Sequence, residues 1–393
     1  MIGIHQFLPM LAKGDGVGNN ARAMAKRLAE LGIPSRFYAD LDKTGEASGG
    51  HLDYAKAAEA GDILLYHVAT SSPMTTYLAR RSEPLGVVYQ NITPPEYFAT
   101  FDARAAAVQK RALGEVDALA ERTLLAMTPS AYNAWDLHQA GYREVAEFPI
   151  IFDPTDFLGS SSPRVEEVLT GLRTKGFANW LFVGRLVPNK AQERLIMALH
   201  AHREAYGDTA VLHLIGRPSY PGYVAALHRL AGELGLADRV NFVMGVSEEE
   251  LAAFYRGSDL FASASEHEGF CMPIVEALFH GLPVMAYDAG AVPETLGIGG
   301  IHLPDRDPAT MAAWAELIAT DTGLRAHLRR LGREQLTRVA PTATIPAFDR
   351  AIARLIELAG SPLKPNFEAP SAIVAEAREI LDRLSDQSDE EFA

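Results

Sequence analysis

Only one of the 393 residues, Cys271, is a cysteine, which excludes an intrachain disulfide and any zinc site built from cysteines. Apolar runs of 18 or more residues are missing, so no membrane-spanning helix is expected. Low-complexity blocks and short-period repeats are missing too. Positive charge is in deficit: 36 Lys and Arg against 50 Asp and Glu leave a net charge of −14. That balance argues against nucleic acid as a partner, because phosphate backbones need a basic field. It also disfavours broad docking on anionic lipid, leaving at most a peripheral membrane contact through a local stripe such as Arg22, Lys26 and Arg27. Met1–Pro9 lacks the basic start and long apolar stretch of a signal peptide. The expected location is cytoplasmic, at most peripheral at the inner membrane face.

What is present is an ordinary globular composition, 48% hydrophobic and 22% charged, at a length that suits about two domains. Strand-like apolar runs alternate with amphipathic runs from end to end, the pattern of an α/β protein with parallel sheets. Gly3–Phe7, Ser35–Ala39, Asp62–His67, Gly86–Asn91 and Leu124–Thr128 read as buried strands. Helical spacing marks Asn19–Leu31, through Ala21, Met24, Ala25 and Leu28, and Val108–Arg122. The alternation breaks at Ile150–Lys175, which holds Pro154, Pro163 and the run Gly159–Ser162 and reads as a connector.

A second series follows, with strands at Asn179–Val183, Ala210–Ile215, Val240–Met244, Leu260–Ala264 and Pro283–Tyr287. Its helices are expected at Ala191–Tyr206, Tyr223–Leu234, Glu248–Tyr255, Pro273–Phe279 and Ala309–Ala319. The reading is two Rossmann-like doubly wound domains, 1–160 and 176–340, facing a central cleft. Ligands in such sheets sit at the carboxyl ends of strands. An acidic tail, 363–393, is expected to fray in solvent at its end.

Three segments carry chemistry. Glu268-Gly-Phe-Cys-Met-Pro-Ile-Val-Glu276 follows a strand, and Pro273 suits the first residue of a helix. The amides of Gly269, Phe270 and Cys271 with the helix dipole would make an anion site fit for a diphosphate. Glu276, a turn further in, could accept two ribose hydroxyls, and Glu268 the hydroxyls of a second sugar. A plain helix start with acidic residues favoured by the dipole is the simpler reading. Phe182-Val-Gly-Arg-Leu-Val-Pro-Asn-Lys190 brings Arg185 and Lys190 to the same crevice, where both could stabilise a leaving diphosphate; a solvated basic turn is its simpler reading. Gly14-Asp-Gly-Val-Gly-Asn-Asn20 lies between the first strand and first helix, where glycines permit close approach and the helix start favours anions. Its spacing departs from the dinucleotide fingerprint.

Together, in this chain order, the segments resemble retaining glycosyltransferases of family 4, of GT-B fold, from Ile2 to about Leu358. The resemblance implies that Arg185 and Lys190 bind the donor diphosphate, Glu276 the ribose, and Glu268 the donor sugar. It implies an approach of Gly16 and Gly18 to the phosphates, lining of the site by Gly216 and Arg217, and reading of the base around Val246 within Phe242–Val246. A C-terminal helix crossing back to the first domain, 341–362 with Ile345–Ala359 as its core, is implied as well. Three departures stand out. Cys271 replaces a second glycine, tolerable where the backbone angle is not positive. Met244 replaces a usual glycine in the base loop. Gln90, in Tyr89-Gln-Asn-Ile-Thr-Pro-Pro95, replaces a histidine set against the donor sugar, and cannot titrate.

Other groups carry less. Asp40-Leu-Asp42 fits an Asp-x-Asp metal pattern that is commonplace at strand ends. His200 and His202 cannot share a helix face, while His67 and His267 fit structural roles. The resemblance implies a hexosyltransferase that takes mannose or a related sugar from a GDP or UDP donor, without metal or cofactor, to a glycan or lipid-linked acceptor in polysaccharide or glycolipid assembly. Rival readings are a nucleotide-sugar epimerase, a dinucleotide-dependent oxidoreductase, for which Asp40 would hold the ribose, and a non-catalytic binding module.

Overall fold

A computed structural model describes residues 1–12, 14–153 and 162–390, the last eight without their side chains. The chain divides into two compact units: Met1–Pro95 with Arg104–Asp153 and Val339–Ala393, and Glu96–Ala103 with Pro154–Arg338. Each holds a six-stranded sheet in which every neighbouring pair is parallel.

In the first unit the strands are β1 (Ile4–Leu11), β2 (Phe37–Asp42), β3 (Ile63–Val68), β4 (Leu85–Tyr89), β5 (Leu125–Thr128) and β6 (Val145–Glu147), in the order β2-β1-β3-β4-β5-β6. β3 and β4 are buried along their whole length, as a sheet covered on both faces requires. The helix Pro341–Leu358 sets Ile345, Phe348, Ile352 and Leu355 into one cluster with Ile4, Met24 and Leu65. Arg27 of the first helix grips Asp349 with two guanidinium hydrogen bonds of 3.0 and 2.6 Å. The 363–393 stretch contains the helix Ala372–Glu390. Its Ile373, Ala377 and Ile380 are buried, one face at helical spacing, so this part of the stretch is a docked helix.

In the second unit β7 (Ala178–Val183), β8 (Ala210–Ile215), β9 (Val240–Val243), β10 (Leu260–Ser263), β11 (Val284–Tyr287) and β12 (Gly300–Leu303) pair in the order β12-β11-β10-β7-β8-β9. Alternate residues of β7 and β8, Trp180, Phe182, Leu212 and Leu214, face one cluster with Leu195 and Leu199 of the helix Gln192–Tyr206. The strand order reverses between β7 and β10. Chain leaves these two neighbours in opposite senses, which opens a crevice at their carboxyl ends.

The connector is less irregular than its prolines imply: Pro163 opens the helix Pro163–Thr174, a position that its missing N–H suits. Pro154 and most of the Gly159–Ser162 run lie outside the described residues.

Candidate active site

The crevice between β7 and β10 receives the Arg185–Lys190 turn from one strand and the Glu266–Cys271 loop from the other. Three hydrogen bonds through buried Asn189 stitch them together. Its amide donates to the His267 carbonyl at 3.2 Å, while its own carbonyl accepts from Glu266 N–H at 2.8 Å and Ser265 Oγ at 3.2 Å. Lys190 then reaches Glu268, Nζ to Oε1, at 2.5 Å. The side chains of this pair are 17% and 9% exposed, so the attraction acts in a poorly solvated setting. Behind Glu268, a Cβ on Gly290 would come within 2.3 Å of the Glu268 carbonyl; only glycine permits that approach, and the Ala291 N–H uses it to bond the same carbonyl at 2.9 Å.

Arg185 is exposed, but its backbone is held: Gln192 Nε2 donates to the Arg185 carbonyl at 2.9 Å, and Tyr223 donates to Gln192 Oε1 at 2.8 Å. Next to it, Leu186 N–H donates to the Arg217 carbonyl at 3.0 Å. A Cβ on Gly216 would lie 1.8 Å from the Gly184 carbonyl, so the Gly184–Arg185 and Gly216–Arg217 backbones meet because Gly216 is bare. Val246 is half-buried in the loop after β9, and Met244 is 53% exposed.

The helix after β10 runs Met272–Phe279, and it corrects two expectations. Pro273 is its second residue. Cys271 is the N-cap at φ 75°, ψ 66° and makes no side-chain cap, so the condition of a non-positive backbone angle fails. A side chain in the left-handed region costs about 1–2 kcal/mol. Burial, reinforced by the Glu268 charge, pushes the Cys271 thiol well up, so it stays protonated. Tyr255 donates a 2.6 Å hydrogen bond to Glu276 Oε2. The Phe270 carbonyl, one residue before the cap, accepts from Thr295 Oγ1.

Residues from the first half of the sequence also take part. Within the second unit, the Tyr97 hydroxyl donates to the Glu266 carbonyl at 3.3 Å, and Phe98 and Phe101 pack on Tyr220 and Tyr223.

In the first unit, the helix begins at Gly16 rather than Asn19. Asp15 caps it, its carboxylate accepting from Gly18 N–H at 3.3 Å, so the protein's own negative charge stands where an anion was expected. Gly16 has open space around it, whereas a Cβ on Gly18 would meet the Ala12 carbonyl at 3.1 Å. Gln90 follows β4; its N–H bonds the Val68 carbonyl at 2.9 Å. Its side-chain Nε2 is buried without a protein acceptor among the described residues.

Asp42 accepts from the N–H groups of Thr44, Gly45 and Ala47, and these backbone bonds pull its pKa down to about 2. Asp40 holds His51 at 2.6 Å. The pair serves its own turns. His67 lies within the sheet against Gln6 at 2.8 Å, and burial lowers its pKa to about 3. His200 contacts Arg203 at 3.2 Å; His202 pairs with Glu316 at 2.9 Å. Asn189, Gln192, Tyr223 and Tyr255 are absent from the sequence-derived site. Pro188-Asn-Lys190 carries a turn signal for Asn189, but the other three depend on contacts far apart in sequence.

Comparison with known proteins converges on this region. Residues 173–335 match the family described as glycosyl transferases group 1. A D-inositol 3-phosphate glycosyltransferase of Salinispora arenicola is 32% identical over 48% of this chain and 42% of its own length. A GDP-mannose-dependent alpha-(1-6)-phosphatidylinositol monomannoside mannosyltransferase of Mycolicibacterium smegmatis is 37% identical over 29% of this chain and 31% of its own length. The chain spans less than half the length of these relatives. A solved sucrose-phosphate synthase of Thermosynechococcus elongatus superposes with a TM-score of 0.72 at 16% identity, covering 91% of this chain and 100% of that one. That likeness, with the two parallel sheets, gives the fold as GT-B. No described helix is long and apolar enough to cross a membrane.

Proposed function

We propose, on the match of residues 173–335 to the group 1 glycosyl transferases, that the chain moves a hexose from a nucleoside diphosphate sugar to an acceptor hydroxyl with retention at the anomeric carbon. The observation that carries this is the Lys190–Glu268 pair, seated beside a helix start with no side-chain cap. A cation and a fixed carboxylate in contact serve two adjacent parts of one donor. Lys190, with Arg185, meets the charge that builds on the departing diphosphate. Glu268, oriented by Lys190, accepts hydroxyls of the sugar. Glu276 takes the ribose.

The glycosidic C–O bond breaks toward the diphosphate while the acceptor oxygen closes on the same face of the sugar. The acceptor's proton passes to the oxygen that leaves, so no protein nucleophile is required. Gln90, whose amide nitrogen has no protein partner among the described residues, is assigned to the donor sugar; no metal is assigned. Mannose or a related hexose, carried on GDP or UDP, is the proposed donor, supported by the GDP-mannose-dependent relative. A glycan or lipid-linked acceptor in polysaccharide or glycolipid assembly, reached from the cytoplasm or the inner membrane face, completes the reading.

A thermal-shift screen of UDP, GDP, ADP and their sugars identifies the donor, since a ligand of the native state raises the melting temperature. NMR of the first-formed product must then show retained configuration, and turnover must survive EDTA. Inversion, or loss on chelation with rescue by manganese, overturns the mechanism. Isomerised donor formed without acceptor would point to an epimerase, and near-stoichiometric NADH binding to an oxidoreductase.

A further inference from the structure

The helix Glu248–Gly257 contributes no residue to the donor assignments above, yet its Tyr255 is a fully enclosed polar group near them. Tyr255 is 0% exposed. Its ring stacks on His280, at 5.4 Å and 15°, and on Phe261, at 6.4 Å and 27°. With its ring held by two neighbours, its hydroxyl reaches Glu276 Oε2 at 2.6 Å, with the Pro273 carbonyl at 3.5 Å. A hydroxyl donating to a carboxylate makes a strong, short bond. Burial and the Glu276 charge both push the Tyr255 pKa well up, so it remains a neutral donor at any working pH.

We propose that Tyr255 is a positioning residue that presets the Glu276 carboxylate for the ribose hydroxyls of the donor; this rests on the assignment of Glu276 made above. A half-buried glutamate has three side-chain torsions, and a ligand that must order them loses affinity. Tyr255 orders them beforehand. A carboxylate has about four acceptor directions, and the bond from Tyr255 takes one of them. Shape alone does not account for the residue, because phenylalanine would fill the same slot. The hydroxyl is what Glu276 uses.

The test measures binding of whichever of UDP, GDP and ADP binds best, and of its 2′,3′-dideoxy counterpart, to the wild-type chain and to Tyr255→Phe, Glu276→Gln and the double variant. Tyr255→Phe should weaken binding of the ribose form by roughly 5- to 20-fold and leave the dideoxy form unchanged. Turnover at saturating donor should stay within about twofold, since ribose binding is the same in ground and transition states. The double variant should bind no worse than Glu276→Gln alone. Comparing two ligands on one folded variant cancels any loss of stability, which a thermal melt records in parallel. Equal weakening of the ribose and dideoxy forms would make Tyr255 merely structural and overturn the inference. Undiminished ribose binding by Tyr255→Phe, with Glu276→Gln impaired, would overturn the inference while sparing the Glu276 assignment. If Glu276→Gln itself binds the ribose form normally, that assignment fails and takes this one with it.

Discussion

The helices Gly16–Glu30 and Met272–Phe279 each follow a strand of a parallel sheet, and each leaves first-turn amides without helical partners. Only the first supplies its own anion. Asp15 accepts from the Gly18 N–H and places a carboxylate at the positive end of the dipole. Cys271 occupies the same position on the second helix, adds no cap, and lies in the left-handed region. Two helices of the second unit cap themselves, through Ser247 and Asp307, while those that begin at Pro163, Gln192 and Pro221 lack a side-chain cap as well. An uncapped start therefore marks no site by itself, and the residues around it make the difference. Lys190 and Glu268 meet beside the open one, whereas turns and backbone carbonyls surround the closed one.

The sharpest way to break that contrast is to remove the cation at the open start. Lys190→Met leaves Glu268 buried without its partner, a loss on the order of 3–5 kcal/mol where one member of a buried pair is deleted. It also removes charge stabilisation of the leaving group, expected at about 10²-fold or more in kcat. Urea unfolding and single-turnover transfer measure the two separately. A variant with full activity would remove Lys190 from the chemistry.

Next in size is the division between the two glutamates. Glu276→Gln should raise the donor KM by about 10- to 100-fold, as expected from losing a charged hydrogen bond of roughly 1.5–3 kcal/mol, with kcat little changed. Glu268→Gln should chiefly lower kcat. Nucleoside diphosphate lacking the sugar should bind the Glu268 variant almost normally and the Glu276 variant poorly. Equal weakening in both would show the roles misassigned.

Smaller effects probe the caps themselves. Cys271→Gly and Cys271→Ala both delete the thiol but differ in tolerance of φ 75°. The glycine variant should be the more stable by about 1 kcal/mol in urea unfolding. Asp15→Ala should lose about 1 kcal/mol, the usual worth of an N-cap, with donor affinity unchanged. Tighter donor binding by Asp15→Ala would mean that the carboxylate holds a phosphate site shut, and the two helix starts would then be alike.

Long apolar runs made much of this architecture legible. Ala210–Ile215 is β8 with the bounds its sequence implies, and β7, β10 and β11 each differ from expectation by one residue at one end. β6 (Val145–Glu147) and β12 (Gly300–Leu303) escaped because they are sheet-edge strands, mostly only half-buried, and so form no continuous apolar run. Pro163–Thr174 escaped because its opening proline reads as a break when the following helix is not weighed. The chemical types at positions 185, 190, 268 and 276 were legible from motif and spacing. The contacts that hold them were not. Asn189 to His267 spans 78 residues of sequence and Tyr255 to Glu276 spans 21, and nothing local encodes such a meeting. Nor does a motif reveal backbone angle: Cys271 looks like a relaxed substitute for glycine until its φ is known.

The return of Pro341–Leu358 to the first unit has a consequence for synthesis on the ribosome. Ile345, Phe348, Ile352 and Leu355 complete a cluster begun by Ile4 and Met24, and Asp349 completes the grip on Arg27. All of Pro154–Arg338 must emerge before these residues exist. At roughly 5–20 residues per second, that interval lasts on the order of ten seconds to half a minute. Throughout it, the first unit waits with an apolar face uncovered, whereas the second has everything it needs, Glu96–Ala103 included, as soon as Arg338 has emerged. The unit begun first is therefore finished last.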